Sequence, residues 1–203
     1  MKQIPMYHDG SRRLQERFES RKLADRLVEV LARDAFTDDD RAFIESRPLF
    51  FLATADAQGR PDCSYKGGNP GFVRVVDPRT LAFPSYDGNG MFKSLGNVVV
   101  NPSVGLLFID FESPKRLRVN GRASVQEDDP LLGEFTGAQL IVRVQAEAIF
   151  PNCPRYIHKM QIIEQSVYTP CEGYTPPVPK WKQFAQFNDV LPPGDPAAQP
   201  TKT

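Results

Sequence analysis

The sequence is poor in the residues that bind metals or cross-link chains. Its 203 residues include three cysteines and two histidines. The cysteines, Cys63, Cys153 and Cys171, are odd in number and lack CxxC spacing, so they indicate neither a disulfide framework nor a zinc knuckle. Cys153 and His158 have no third partner that would complete a nucleophile or a metal site. We therefore predict reduced thiols and no metal site.

Long apolar runs and an excess of charge of either sign are also missing. The N-terminus lacks the apolar stretch of a signal peptide, and no segment approaches the length of a membrane-spanning helix. The 25 basic and 25 acidic residues cancel, whereas nucleic-acid binding depends on clustered lysine and arginine. We expect a cytoplasmic protein that binds neither membranes nor nucleic acids.

Two segments near the N-terminus have helical patterns. In residues 11–34 apolar side chains recur at spacings of three to five among charged neighbours, which predicts one amphipathic helix. Thr37 can cap a second helix, whose first turn carries three aspartates that complement the positive helix end. Pro48 ends this second helix, since the residue before a proline avoids helical geometry.

From residue 49 the pattern changes to short strands separated by turn residues. The strand-like stretches read LFFLATAD, DCSYKGG, GFVRVVD, LAFPSYD, VGLLFIDF and RLRVNGRASV. A short helix at residues 130–139 and a last strand, AEAIFPNC, ending at Pro151, follow. Strands spaced this closely predict an antiparallel barrel or sandwich.

The C-terminal part of the chain is rich in proline from Tyr168 onward. Its last stretch, LPPGDPAAQPTKT, lacks the apolar content to pack, so we expect the end to be disordered. We divide the chain into an N-terminal helical segment, residues 1–36, a barrel, residues 37–167, and a C-terminal extension, residues 168–203.

The stretch GNGMFKSLGNVVVNP, residues 88–102, concentrates small and hydrogen-bonding residues at the start of a predicted short helix, residues 92–97. Backbone N–H groups at a helix start, the ammonium of Lys93 and the hydroxyls of Ser85 and Ser94 make a suitable cage for a phosphate dianion. The same residues fit a plain helix-capping loop, and the GxxxxGK[ST] pattern is absent. From the residues alone, both interpretations stay open.

Three longer motifs resemble the pyridoxamine 5'-phosphate oxidase-like family of FMN-binding split β-barrels. They are FFLATADAQGRPDCSYKGG, GFVRVVDPRTLAFPSYDGNGMFKSLGNVVVNP and VGLLFIDFESPKRLRVNGRASV, and the resemblance covers roughly residues 37–125. It implies a mainly β (α+β) fold, namely a six-stranded antiparallel split β-barrel with flanking helices. It also implies a homodimer with FMN at the subunit interface.

The resemblance further implies which residues contact FMN. They are Ser64, Tyr65 and Lys66 along the isoalloxazine ring, Ser85, Asn89, Met91, Lys93 and Ser94 at the phosphate and ribityl chain, and Arg118 and Asn120 near the pyrimidine edge. A flavin that accepts a hydride gains negative charge toward N1 and O2. Lys66 and Arg118 are therefore candidates for stabilising the reduced ring, although both also fit ordinary exposed strand positions.

Two features depart from the family members that oxidise pyridoxamine phosphate. Those members hold the flavin phosphate with an SRK-like step where this chain has FKS, and they end in a Trp/Arg-rich segment where this chain has PKWKQFAQFNDV. We therefore expect an FMN-dependent oxidoreductase that is not a typical pyridoxamine phosphate oxidase. It would transfer a hydride or electrons between a small donor, such as NAD(P)H, and an organic acceptor.

Two alternatives remain open for the function. One is a non-catalytic flavin carrier or sensor, and the other is a deazaflavin- or haem-binding relative. The haem version is the weaker of these, because His8 and His158 lie in poorly predicted segments and an axial ligand needs a rigid base.

The segment PNCPRYIHKM and the single tryptophan supply candidate substrate contacts. Arg155 and Tyr156 could orient a small-molecule substrate at the flavin, and His158 could move a proton because histidine titrates near neutrality. Trp181 could stack over the flavin or pack in a core or a dimer seam. A proline-bracketed, exposed turn explains the first three equally well. The catalytic residues and the substrate stay unassigned.

Overall fold

Four α-helices and seven strands organise residues 6–198, the part of the chain that this computed structural model describes. The helices are α1 Asp9–Arg17, α2 Arg21–Leu31, α3 Asp38–Glu45 and α4 Lys93–Val100. The strands are β1 Leu49–Ala55, β2 Pro61–Gly67, β3 Arg74–Asp77, β4 Thr80–Tyr86, β5 Ser103–Asp110, β6 Lys115–Gln126 and β7 Ala138–Pro151. Short 3₁₀ helices span Pro130–Glu134, Lys180–Gln183 and Ala185–Phe187. No helix within residues 6–198 has both the length and the apolar character needed to cross a bilayer.

All seven strands belong to one antiparallel sheet with the order β2-β1-β5-β6-β7-β4-β3. The predicted mainly β fold with flanking helices is confirmed. The sheet has seven strands, as many as the strand-like stretches of the sequence, whereas the resemblance implied a six-stranded barrel; the four-residue β3 pairs with β4 at one edge. β7 also begins earlier than predicted, since the helix expected over residues 130–139 is a 3₁₀ helix that ends at Glu134.

The sheet curls around an aromatic core. The ring of Phe50 on β1 lies 5.0 Å from that of Phe83 on β4, 5.2 Å from that of Phe108 on β5 and 5.9 Å from that of Phe72. In a flat sheet β1 and β4 would lie about 19 Å apart, four strand spacings. Contact between Phe50 and Phe83 therefore requires the two ends of the sheet to approach each other, as a split barrel does.

The N-terminal segment forms two helices, so the prediction of one helix over residues 11–34 is wrong. The break lies at Glu19, which has a left-handed φ of 54°. The N–H groups of Glu19 and Ser20 donate to carbonyls of the last turn of α1 and so end it. The sequence contains a trace of this break, because Phe18 and Leu23 are five residues apart and a continuous helix places neighbours on one face three or four apart.

Helix α3 begins as predicted, at a cap formed by Thr37. The Thr37 hydroxyl accepts from the Asp40 N–H at 3.2 Å, and the Asp40 carboxylate accepts from the Thr37 N–H at 3.0 Å. Arg33 Nε donates to the same carboxylate at 2.7 Å. Burial raises the pKa of Asp40, but the bonds from Arg33 and Thr37 outweigh burial and hold this pKa below its ordinary value. This cap joins the N-terminal segment to the start of the barrel.

The C-terminal extension contacts the barrel. Asn69 Nδ2 donates to the Pro170 carbonyl at 3.3 Å, and Lys182 forms ion pairs with Asp87 and Asp195. The predicted disorder falls on residues 191–203, of which 199–203 lie outside the described residues. The proposed boundaries at residues 36 and 167 stay predictions.

Candidate functional site

Helix α4 begins at a glycine-rich loop, residues 87–91, that follows β4. The helix starts one residue after the predicted position and ends at Val100, three residues beyond the predicted end and just before Asn101 and Pro102. Phe92, its N-cap residue, has a left-handed φ of 46°, and Gly90 in the loop has a φ of 72°. No side chain caps this helix start. The first-turn N–H groups of α4 are therefore available to another acceptor.

A cavity of about 540 Å³ opens at this helix start, a volume in the range of small-molecule sites. Its walls are the loop 87–91, the first turn of α4, the end of β4 and one face of β2. A Cβ atom added at Gly88 or Gly90 would meet nothing within 4 Å. The loop thus presents bare backbone to open space, where a ligand can approach it closely.

Strand β2 turns polar side chains toward this cavity. Asp62, Ser64 and Lys66 share one face because side chains alternate along a strand. Their cross-strand partners on β1 are buried, and they are Thr54, Leu52 and Phe50 respectively. Polar residues on the core side of a strand break the usual pattern, and such exceptions concentrate at functional sites.

The hydroxyl of Ser94 connects α4 to this polar face. Ser94 Oγ lies 2.9 Å from Ser64 Oγ and donates to Asp62 Oδ2 at 3.2 Å. One turn further along α4, the buried Asn97 donates to the buried Thr54 hydroxyl at 3.0 Å. These contacts fix the start of α4 against β2 and hold the Asp62 carboxylate.

A second cavity, of about 830 Å³, adjoins the first and shares Lys66, Ser85 and Asp87 with it. Apolar walls come from Leu49, Phe72, Phe83 and neighbours, and residues 161–166 form another wall. Burial lowers the pKa of Lys66, and the Asp62 carboxylate offsets part of this decrease. Lys66 is therefore an ammonium that loses its proton more readily than an exposed lysine does.

Most of the residues predicted to contact a cofactor come together in the structure. Those that line the smaller cavity are Ser64, Lys66, Ser85, Asn89, Met91, Lys93 and Ser94. Tyr65 lines the larger cavity, but alternation places its ring on the opposite face of β2, edge-on to Phe51 at 6.1 Å. The Asn89 side chain accepts from the Met91 N–H at 3.0 Å and so shapes the loop.

The remaining candidates line neither cavity of the described chain. Arg118 and Asn120 are exposed on the outer face of β6, and Arg155 and Tyr156 are exposed after β7. Trp181 packs edge-on against Phe187 at 5.7 Å. Cys153 and His158 are exposed as well. Cofactor or substrate contacts by these residues stay predictions.

Three charged residues of the site were missed from the sequence. Asp62 could have been found, because the alternation of β2 places it on the face of Ser64 and Lys66. Asp87 and Lys182, which pair at 2.7 Å, are separated by 95 residues. No local sequence pattern predicts this contact.

A model of the pyridoxamine 5'-phosphate oxidase family matches residues 36–168. The chain belongs to this family. The matched region includes β1 to β7 and α4, and hence all of the smaller cavity except Pro192. A comparison with curated proteins finds no match.

Solved structures with a similar chain include a haem storage protein and an FMN-binding protein. HupZ from Group A Streptococcus is 22% identical, with a TM-score of 0.46 over 57% of this chain and 93% of that chain. The haem storage protein HutZ from Vibrio cholerae is 23% identical, with a TM-score of 0.39 over 57% and 89%. An FMN-binding protein from Syntrophomonas wolfei is 12% identical, with a TM-score of 0.43 over 69% and 97%. At such identities the ligands of those proteins do not carry over to this chain.

Proposed function

We propose that this member of the pyridoxamine 5'-phosphate oxidase family is an FMN-binding oxidoreductase. It would transfer a hydride or electrons between a small donor, possible donors being NADH and NADPH, and an organic acceptor. The observation that carries the proposal is the smaller cavity, where an uncapped helix start, a bare glycine loop and polar side chains of β2 converge.

The donors around the smaller cavity suit the phosphate end of FMN. The Lys93 ammonium, the Ser85 hydroxyl and the first-turn N–H groups of α4 can all donate to a phosphate dianion. Two carboxylates also line the cavity, and both have partners. Asp62 accepts from Ser94, and Asp87 is paired with Lys182. The donor set thus fits an anion whose charge is concentrated at the helix start.

The position of Lys66 suits the ring end of FMN. Lys66 lines both cavities, and the larger one supplies apolar and aromatic walls, which a flat ring system requires. When bound, FMN supplies a ring that accepts and returns a hydride. The Lys66 ammonium would hold positive charge beside this ring and favour its reduced form.

We further propose that the protein works as a homodimer whose second subunit completes the site. Exposed apolar side chains on α4 and its N-cap support this proposal, and they are Phe92, Val99 and Val100 at 54%, 75% and 59% exposure. Arg118 and Asn120 are exposed on the outer face of the sheet and line neither cavity of their own chain, and a second chain could bring them to a flavin.

The proposed activity is tested by titration followed by reduction. Adding FMN to the purified protein should quench flavin fluorescence saturably, with one FMN bound per chain. NADH or NADPH should then bleach the flavin absorbance in the absence of oxygen. Binding without bleaching by either nucleotide would leave a flavin carrier or sensor. If the protein does not bind FMN but binds haem or a deazaflavin tightly, that molecule would replace FMN as the proposed cofactor.

The lowered pKa of Lys66 predicts how FMN affinity depends on pH. The charged ammonium donates a charge-assisted hydrogen bond to the acceptor atoms of the ring and the neutral amine only a weaker one, so affinity should fall as pH rises through the pKa of Lys66. Because burial lowers the pKa of Lys66, the decrease in FMN affinity should occur at a lower pH than the pH at which an exposed lysine loses its proton. Full deprotonation should weaken binding by about tenfold. Fluorescence titrations across the alkaline range measure the effect.

The matched variants for this pH profile are Lys66→Met and Lys22→Met. Lys66→Met should bind FMN with the weaker affinity at every pH and lose the alkaline decline. Lys22 is an exposed lysine on α2, and its replacement should leave the wild-type profile in place. An unchanged alkaline decline in Lys66→Met would show that another group causes it.

A further inference from the structure

The C-terminal extension places a buried ammonium next to the smaller cavity. Lys182 is 3% exposed, and its Nζ atom lies 2.7 Å from Asp87 Oδ2 and 2.6 Å from Asp195 Oδ2. Burial lowers the pKa of Lys182, but the bonds from Asp195 and Asp87 outweigh burial and raise this pKa above its ordinary value. Lys182 is therefore charged at neutral pH.

One of the two carboxylates held by Lys182 lines the cavities. Asp87 is the first residue of the loop 87–91 and contributes to the walls of both cavities, with its side chain 59% exposed. The extension itself reaches the smaller cavity at Pro192. Lys182, Pro192 and Asp195 lie beyond residue 168, where the family match ends.

An unpaired carboxylate at the position of Asp87 would repel a phosphate group. Two negative charges in one cavity destabilise each other, whereas an ammonium paired with one of them offsets part of this repulsion. The second carboxylate, Asp195, is 6% exposed and is not part of the wall of either cavity. It accepts a second hydrogen bond from Lys182 on the buried side and so holds the ammonium in place beside Asp87.

We propose that Lys182 is a positioning residue of the cofactor site, which favours phosphate binding by pairing with Asp87 and offsetting its negative charge. This inference rests on the proposed FMN function. It assigns a role to the C-terminal extension, namely charge compensation at the cofactor phosphate. The ligand class concerned is a phosphorylated flavin, and riboflavin, which has no phosphate, should not depend on Lys182.

The test compares FMN and riboflavin titrations in a double-mutant cycle. Lys182→Met should weaken FMN binding by about tenfold and leave riboflavin binding unchanged, because only the phosphate is repelled by the freed carboxylate. Adding Asp87→Asn to Lys182→Met should restore FMN affinity. Lys180→Met, which replaces an exposed lysine of the same 3₁₀ helix, is the matched control and should bind both ligands as the wild type does.

Several outcomes would overturn the inference. Equal weakening of FMN and riboflavin would show that Lys182 only supports the structure, and no rescue by Asp87→Asn would exclude charge compensation. If Lys182→Met does not fold, the single variant Asp87→Asn tests the inference. It should bind FMN at least as tightly as the wild type does, and weaker FMN binding would contradict the proposed role of Lys182. A wild type that binds neither flavin removes the proposed function, and the inference with it.

Discussion

Replacing Gly121 by alanine is expected to lower the free energy of unfolding by about 3 kcal/mol or more. A Cβ atom at this position would lie 2.1 Å from the carbonyl oxygen of Gln145 and 3.1 Å from the Cα atom of Ala146. Both contacts are with the backbone of β7, which cannot rotate away as a side chain could. The register of β6 against β7 also shifts between Asn120 and Gly121. Urea denaturation of the two proteins measures the loss.

Gly105→Ala is the matched control for this substitution. Gly105 lies on β5, and an added Cβ would meet Asn120 Oδ1 at 3.7 Å and Ala53 Cβ at 3.8 Å, which are ordinary contacts. We expect this variant to be as stable as the wild type, or more stable by up to about 1 kcal/mol because alanine loses less backbone entropy. Similar stabilities for the Gly121 and Gly105 variants would show that β7 can move away from β6.

Lys93→Ala is expected to weaken FMN binding by about 1.5–3 kcal/mol, the usual contribution of a charge-assisted hydrogen bond. Lys93 is exposed, lines the smaller cavity and is the first residue of α4. Alanine is a strong helix former, so α4 should begin as before. Fluorescence titration with FMN gives the affinity, and thermal unfolding of the ligand-free variant checks that the fold is retained.

Riboflavin and a distant lysine provide the controls for Lys93. Riboflavin affinity should be the same in wild type and Lys93→Ala, since the lost contact is with the phosphate. Lys22→Ala removes an exposed lysine from α2 and should not affect FMN binding. An unchanged FMN affinity in Lys93→Ala would remove this residue from the phosphate site and leave the Ser85 hydroxyl and the N–H groups of α4 as the remaining donors there.

The fold could be predicted from the sequence wherever local pattern decides the structure. Alternating apolar residues and turn residues gave the strands, and the Thr37 cap gave the start of α3. The N-terminal helices could not be separated in advance, because Glu19 adopts a left-handed conformation that only glycine signals strongly. The first part of β7 was also assigned wrongly, since its start depends on pairing with β4.

The site could be predicted only in part, for a similar reason. The cavity residues close in sequence to the glycine loop were found, because loop and helix start are adjacent along the chain. Lys182 and the segment 161–166 approach the cavity only through the tertiary fold. The flavin contacts predicted for Arg118 and Asn120 would depend on a further step, the proposed association of two chains, which one sequence and one folded chain do not contain.

Two of the strands that line the cavities, β2 and β4, are far apart in the sheet. Four strands separate β2 from β4 in the hydrogen-bonded order, although both contribute to the same two cavities. A partly folded chain in which β2 and β4 have not yet come together therefore lacks these pockets. Flavin binding would then indicate that the whole sheet has formed. By mass action a bound cofactor would also oppose the detachment of any intervening strand, so that loading with flavin and resistance to local unfolding rise together.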